Sequence, residues 1–228
     1  MTVLTTTVVV LLPLMLKSPT PPVLADGPGL AGCPASWPMA GMDWSFTWSN
    51  DAGGAWWCVP MLRSNRQDNV ASTMNTCGGL GGAVLVGNEM DYQERCWVDC
   101  QVRFLYEVYP QIRAENPEAQ VVFWNGPYPS AGWVDLFTAE WQAQYPGELL
   151  PQVDIGVHLY LWPGKEPGSI LASLARFETA VNAAWPGADV LVTEGGSLHS
   201  EAEHQRWLRD VMPHLDTFAV FDCWQRVD

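Results

Sequence analysis

Two apolar runs of the chain each end in a glutamate: Val84-Leu85-Val86-Gly87-Asn88-Glu89 and Val190-Leu191-Val192-Thr193-Glu194. A carboxylate at the tip of a buried strand is costly to remove from water, so it is paired, hydrogen-bonded or put to use. Two of them at one rim of a parallel sheet could flank a glycosidic bond, one giving a proton and the other attacking the anomeric carbon. A single strand-end Glu is explained as readily by a structural ion pair, so the weight rests on the two together. Between them, Val157-His158-Leu159-Tyr160 brings an imidazole and a phenol to another strand end, and Asn125 and Trp224 fall at two more.

Other chemistries find less support. Gly78-Gly79-Leu80-Gly81-Gly82 precedes a strand instead of joining a strand to a helix, so it makes a poor phosphate loop. No Gly-x-Ser-x-Gly elbow occurs, and Ser197 follows its strand without a strand-to-helix turn. The six cysteines, at 33, 58, 77, 96, 100 and 223, contain no Cys-x-x-Cys pair, which disfavours structural zinc. Cys96 and Cys100 are one helical turn apart. Disulfides and free buried thiols both satisfy this spacing.

Composition narrows the partners. Eleven basic against 25 acidic residues give a formal charge of -14, which repels phosphate backbones and anionic lipid, so no nucleic-acid partner is expected. With 48% hydrophobic and 16% charged residues, the 228-residue chain can bury one sizeable core. Thirteen Trp exceed what a core requires, whereas sugar-binding clefts use flat aromatic faces on which sugar C–H groups stack.

The elements that would position these residues alternate. Strands are expected at 44–49, 56–62, 83–88, 121–125, 155–160, 190–194 and 218–224. Val98, Val102, Leu105, Tyr109 and Ile112 repeat at helical spacing up to Asn116-Pro117; Val134, Phe137 and Trp141 mark a second helix. Ile170, Leu174, Phe177 and Val181 mark a third, and Ser200-Glu201-Ala202-Glu203 opens a fourth with Trp207, Leu208 and Val211 inward. Repeated strand-helix-strand units require parallel strands with crossover helices. Polar residues spread over many strand ends favour a closed (β/α)8 TIM-type barrel over an open doubly wound sheet. The barrel is compact and lacks a clear first strand, which is sought in 33–41.

At the amino end, apolar residues 3–16 are too short to span a bilayer but suit a signal peptide, with small residues ahead of Asp26 for cleavage. Residues 1–33 are therefore assigned to a signal peptide and Pro-rich linker, and residues 34–228 to the barrel domain. A secreted protein with no stable membrane insertion is expected, lipid anchoring at Cys33 being a minor alternative. Nothing in the sequence calls for an oligomer, and a monomer is the expectation.

Asp43-Trp44-Ser45-Phe46-Thr47-Trp48, Val59-Pro60-Met61-Leu62, Gly87-Asn88-Glu89-Met90-Asp91, Val157-His158-Leu159-Tyr160 and Val192-Thr193-Glu194 stand in a suggestive order. Over residues 43–226 the chain resembles the glycosyl hydrolase catalytic-core family, small retaining barrels that include fungal and bacterial β-1,3-glucanases. The resemblance implies Glu89 as general acid/base, Glu194 as nucleophile and Asn88 as a ligand of the sugar 2-hydroxyl. His158 and Tyr160 would orient the nucleophile and line the scissile subsite; Trp48, Trp124, Trp162 and Trp224 would be stacking platforms. It implies no metal or organic cofactor. Such an acid must have its carboxyl raised while the nucleophile stays ionised. Two departures stand out: Met90 follows the acid/base where the family has Pro, and Gly195-Gly196 follows the nucleophile where it has an aromatic, which would open the floor of the site.

The remaining residues have plainer readings. Trp97, Trp141, Trp185 and Trp207 are expected to pack between helices and barrel, Asp154 to serve the stability face, and His199 and His204 to be solvated loop residues. Cleavage of a β-linked glucan, with β-1,3-glucan implied by resemblance, is the leading expectation. The alternative is a non-catalytic carbohydrate-binding barrel with a degenerate site.

Overall fold

The computed structural model describes residues 28–31, 44–46, 59–64, 69–75, 82–197, 199–215 and 218–220, with backbone alone for 28–31, 44–46 and 218–220. Strands β1 (Pro28–Ala31), β2 (Trp44–Phe46), β3 (Met61–Leu62), β4 (Ala83–Val86), β5 (Gln120–Gly126), β6 (Asp154–Tyr160), β7 (Val190–Gly196) and β8 (Phe218–Val220) form one sheet. Helices α1 (Val70–Asn75), α2 (Val98–Glu115), α3 (Ala131–Gln144), α4 (Pro167–Ala184) and α5 (Glu201–Asp210) alternate with the strands from β3 onward.

Every pairing is parallel, and the order is β2-β1-β8-β7-β6-β5-β4-β3. Placing the last strand beside the first gives the ring order of a barrel, cut between β2 and β3. Among the described residues no pairing joins those two strands. Each expected strand range from 44 onward contains or overlaps an observed strand, with 47–49, 56–58 and 221–224 lying outside the described residues and β4 stopping at Val86; the first strand lies at Pro28–Ala31, ahead of the 33–41 segment where it was sought. The sheet thus extends into the segment assigned to the linker.

Strands buried on both faces need apolar residues at nearly every position, which is why β4 reads Ala-Val-Leu-Val. Alternate residues feed two cores. Val84 and Val86 face the helices in the larger core, while Ala83 and Leu85 join Val59, Met61, Val122 and Leu191 in a smaller one. Since successive strand residues point to opposite faces, the smaller cluster fills the concave side of the sheet.

The helices follow their sequence signals. α2 stops at Asn116, before Pro117; Ser130 caps α3 by accepting from the amide of Trp133, and Ser200 caps α5 by accepting from Glu203. Trp133 stacks on Trp124 at 4.0 Å between centroids and faces Trp185 at 6.3 Å, with Phe137 and Phe177 around them. Trp141, Trp185 and Trp207 are buried as their helical spacing predicts, whereas Trp97, expected in the same packing, is exposed. It stands at the N-cap of α2, ahead of the helix on which the expectation placed it. Cys96 and Cys100 form a disulfide across this helix start. Among the described residues no helix is long and apolar enough to cross a membrane.

Candidate active site

β4, β6 and β7 run parallel, so their carboxyl ends present side chains at one rim. Glu89 lies just past β4, His158 and Tyr160 close β6, and Glu194 is near the end of β7. These four converge. His158 places Nδ1 3.0 Å from Glu89 Oε1 and Nε2 3.5 Å from Glu194 Oε1, so one fully buried imidazole lies within reach of both carboxylates. The Tyr160 hydroxyl donates to Glu194 Oε2, and the phenol ring stands edge-on to the imidazole. Burial, followed by the charge of Glu194 and its hydrogen bond, pushes the Tyr160 hydroxyl far above its ordinary range, so it remains a donor.

Glu89 does not have the raised carboxyl expected of it. Burial pushes it up, but the hydrogen bond and charge of His158, joined by a hydrogen bond from Gln93, outweigh burial and hold it below its usual range. Gln93 Nε2 donates to Glu89 Oε2 at 2.6 Å. Nearby, burial raises the carboxyl of Asp91, and the charge of Glu89 adds to the effect against opposing backbone hydrogen bonds.

The turn carrying Glu89 is built from unusual backbone. Glu89 has φ 45°, and on β5 Trp124 and Asn125 have φ 78° and 46°. The amide of Glu89 donates to the Asn125 carbonyl at 2.9 Å, and Asn125 Nδ2 donates to the Gly87 carbonyl at 2.9 Å. The strand end of β5 therefore braces the acidic turn of β4. A residue in left-handed backbone persists where its surroundings over-determine it, and such residues gather at functional sites.

That irregularity also explains a displaced side chain. Strict alternation along β5 would aim Trp124 at the concave face as a stacking platform. The register shift against β6 between Phe123 and Gly126 instead sends Trp124 to the helix side, where it is 1% exposed and stacked on Trp133. Its ring folds so closely over Gly126 that a Cβ there would lie 2.3 Å away. Trp124 is a core residue, and Asn125 takes the place near the site.

Asn88 is fully buried; its Nδ2 donates to Gln93 Oε1 at 3.4 Å, one step behind Glu89. Trp162 is exposed beside Tyr160, its ring tilted against His199 at 5.0 Å between centroids. Trp48 and Trp224 lie outside the described residues. His204, read as a solvated histidine, is buried, with Nδ1 accepting from the amide of Ser197 just past β7. Asp154 lies at the opposite end, accepting from Gln120 Nε2 and the Asp189 amide, as its place at the strand start predicts.

The two departures from the family pattern are absorbed by packing. Met90 is fully buried, its thioether folded against Gly87. A Cβ on Gly195 would meet the Trp207 indole at 2.3 Å, and that indole donates to the Leu159 carbonyl at 2.7 Å. Gly195 makes room for a buried tryptophan on the helix side. The missing side chain there is filled by core, which corrects the expectation of an opened floor.

Sequence reasoning missed Gln93, Glu94, Arg63 and Ser64. The buried Glu94 carboxylate accepts from the Ser64 amide at 2.7 Å, the Ser64 hydroxyl, Arg63 Nε at 3.2 Å and the Asn88 amide at 3.0 Å. It ties the end of β3 to the turn bearing Asn88 and Glu89. The available signal was a second glutamate five residues after Glu89, inside the same loop. Among the described residues no group of three or more His, Cys, Asp or Glu side chains is placed to hold a metal ion.

No protein-family model and no curated protein matches the chain. Among solved structures, a GH128 (subgroup V) exo-beta-1,3-glucanase from Cryptococcus neoformans matches with a TM-score of 0.52 and 16% identity, over 85% of this chain and 84% of that one. The chain is thus similar in fold to a glycoside hydrolase.

Proposed function

We propose that the protein is a glycoside hydrolase that cleaves β-linked glucan, with β-1,3-glucan as the first substrate to try, by two-carboxylate double displacement. The carrying observation is the convergence of Glu89 and Glu194, from non-adjacent strands, on the single imidazole of His158. In the first step a Glu194 oxygen bonds to the anomeric carbon as the glycosidic C–O bond breaks, and Glu89 gives its proton to the leaving oxygen. In the second, Glu89 takes a proton from water, the water oxygen bonds to the same carbon, and Glu194 leaves as carboxylate. Tyr160 holds one Glu194 oxygen and steers the other. The Glu89 proton requires that the hold of His158 slacken when substrate displaces water, since His158 and Gln93 favour the ionised form.

The likeness of fold to a β-1,3-glucanase supports the substrate class. Closure of the barrel between β2 and β3, the assignment of residues 1–25 as an export signal and release as a secreted monomer belong to the same proposal. The test is product release from β-1,3-, β-1,4- and mixed-linkage glucans with Glu89→Gln and Glu194→Gln in parallel. Loss in both variants, with an initial product anomer matching the substrate by NMR, is expected. Turnover surviving Glu194→Gln would refute the assignment of the nucleophile.

A further inference from the structure

Glu89 meets a hydrogen-bonding side chain at each carboxylate oxygen, and the two differ in freedom. Oε1 lies 3.0 Å from Nδ1 of His158, a fully buried ring enclosed by its surroundings. Oε2 accepts from Nε2 of Gln93 at 2.6 Å. Gln93 is exposed and sits in the loop after β4, outside any helix or strand. Its backbone is pinned, since its amide N–H donates to the Glu89 carbonyl at 2.7 Å. Only the side chain can leave, by rotation about its own bonds, and water would replace its hydrogen bonds at small net cost.

The same side chain faces Asn88, whose Nδ2 donates to Gln93 Oε1 at 3.4 Å. The Gln93 amide thus presents its donor to Glu89 and its acceptor to Asn88. An ionised carboxylate only accepts, which fixes that orientation. These are the two groups that the hydrolase reading gives to the sugar: Asn88 for the 2-hydroxyl and Glu89 for the leaving oxygen. While the amide is in place, Oε2 faces an N–H and has no room for a proton of its own. Oε1 is no substitute, because it faces the buried imidazole. Asn88 Oδ1, also buried, has no hydrogen-bond partner among the described residues. Sugar hydroxyls each donate and accept, so they can serve both atoms of that amide, which the Gln93 oxygen cannot.

From this geometry we infer that Gln93 is a positioning residue that caps Glu89 and Asn88, and that the substrate's sugar displaces its amide from both as it binds. The inference rests on the hydrolase reading for the roles of those two residues. Against burial, His158 and then Gln93 hold the Glu89 carboxyl low, and displacement removes the second of them. Oε2 then takes a proton from solvent and turns it toward the glycosidic oxygen. When product leaves and the amide returns, the proton regained in the second step goes back to solvent. Glu89 becomes an acid as the sugar arrives, with His158 left as the fixed partner of Oε1.

The test compares the full-length parent with Gln93→Ala and with Gln93→Met, which fills the space without a strong donor or acceptor. The pH dependence of kcat/KM reports the free protein and that of kcat the complex. Without the cap, the Glu89 carboxyl of the free protein rises, so the alkaline limb of kcat/KM should move to higher pH in both variants. The alkaline limb of kcat, set after the amide has gone, should stay in place. A second arm measures calorimetric binding to Glu194→Gln of whichever of the β-1,3- and β-1,4-linked glucose trisaccharides binds more tightly. Adding Gln93→Ala should tighten it by about 3–10-fold, the scale of one net hydrogen bond that no longer has to be broken. Two limbs moving together would mean that the amide never leaves Glu89. Limbs and affinity that both stay put would mean that it caps nothing, and weaker binding would mean that Gln93 holds the sugar instead. Each of these overturns the inference. A parent that releases no product, but whose Glu194→Gln form binds more tightly with Gln93→Ala, would uphold the cap and defeat the hydrolase reading. Product release with unmoved limbs would do the reverse, and neither product nor binding would end both.

Discussion

The backbone amide of Glu89 donates to the carbonyl of Asn125 at 2.9 Å, and both residues sit in left-handed backbone, at φ 45° and 46°. Two strand ends thus hold each other in conformations that neither would choose alone. The bulge in β5 and the acidic turn of β4 form one unit, and a change at either should be felt at the carboxylate.

Gly156 on β6 tests that unit. A Cβ there would lie 2.1 Å from Asn125 Oδ1, so Gly156→Ala must displace the side chain that bonds the Gly87 carbonyl. We expect a stability loss of about 1–3 kcal/mol, the usual cost of overpacking. Turnover should fall further than the loss of folded protein explains. Denaturant unfolding and kinetics on one preparation check both; unchanged turnover would mean the brace does not place Glu89.

His158 should set the alkaline limb of the pH profile. Its hydrogen bond and charge help hold the Glu89 carboxyl low against burial. A general acid works only while protonated, so kcat/KM falls as pH rises through the carboxyl's pKa. With His158→Gln, burial is less opposed, the carboxyl rises, and the alkaline limb should move to higher pH while kcat drops. A limb that stays put, or moves to lower pH, would remove His158 as the cause.

Glu94→Gln removes the charge from a buried carboxylate that serves Arg63, Ser64 and the Asn88 amide. Breaking a buried pair of this kind costs about 3–5 kcal/mol. For a domain of this size that corresponds to a melting temperature lower by on the order of 10 °C. Ser64→Ala, which loses one neutral donor, should cost about 1 kcal/mol. Thermal scans of the two variants should keep that order; equal losses would contradict a central role for the carboxylate.

Asp154 gives the opposite pattern. Its carboxylate accepts from Gln120 Nε2 and the Asp189 amide at the amino ends of the strands. Asp154→Ala should lower stability by about 1–2 kcal/mol and leave kcat/KM unchanged at temperatures where the protein is folded. A changed kcat/KM would mean that the two rims are not independent.

What the sequence determined by itself is the set of elements and the chemistry at their ends. Apolar runs bounded by turns, and the 3.6-residue spacing of Val98 to Ile112 and of Ile170 to Val181, are local signals. Parallel strands then bring Glu89, His158, Tyr160 and Glu194 to one rim, since every carboxyl end must point the same way. Tertiary structure alone decided the rest. A one-residue register shift turned Trp124 into the core and Asn125 toward the site, because one shifted residue exchanges the faces of a strand. The Glu89 carboxyl is held low by an imidazole 69 residues away, and Gly195 is explained by the Trp207 ring reaching in from another element. Pro28–Ala31 became a strand through its pairing with β2 and β8, a partnership that a four-residue segment with Pro and Gly does not announce. Local pattern fixes what a segment is; burial, charge and register depend on which distant residues it meets.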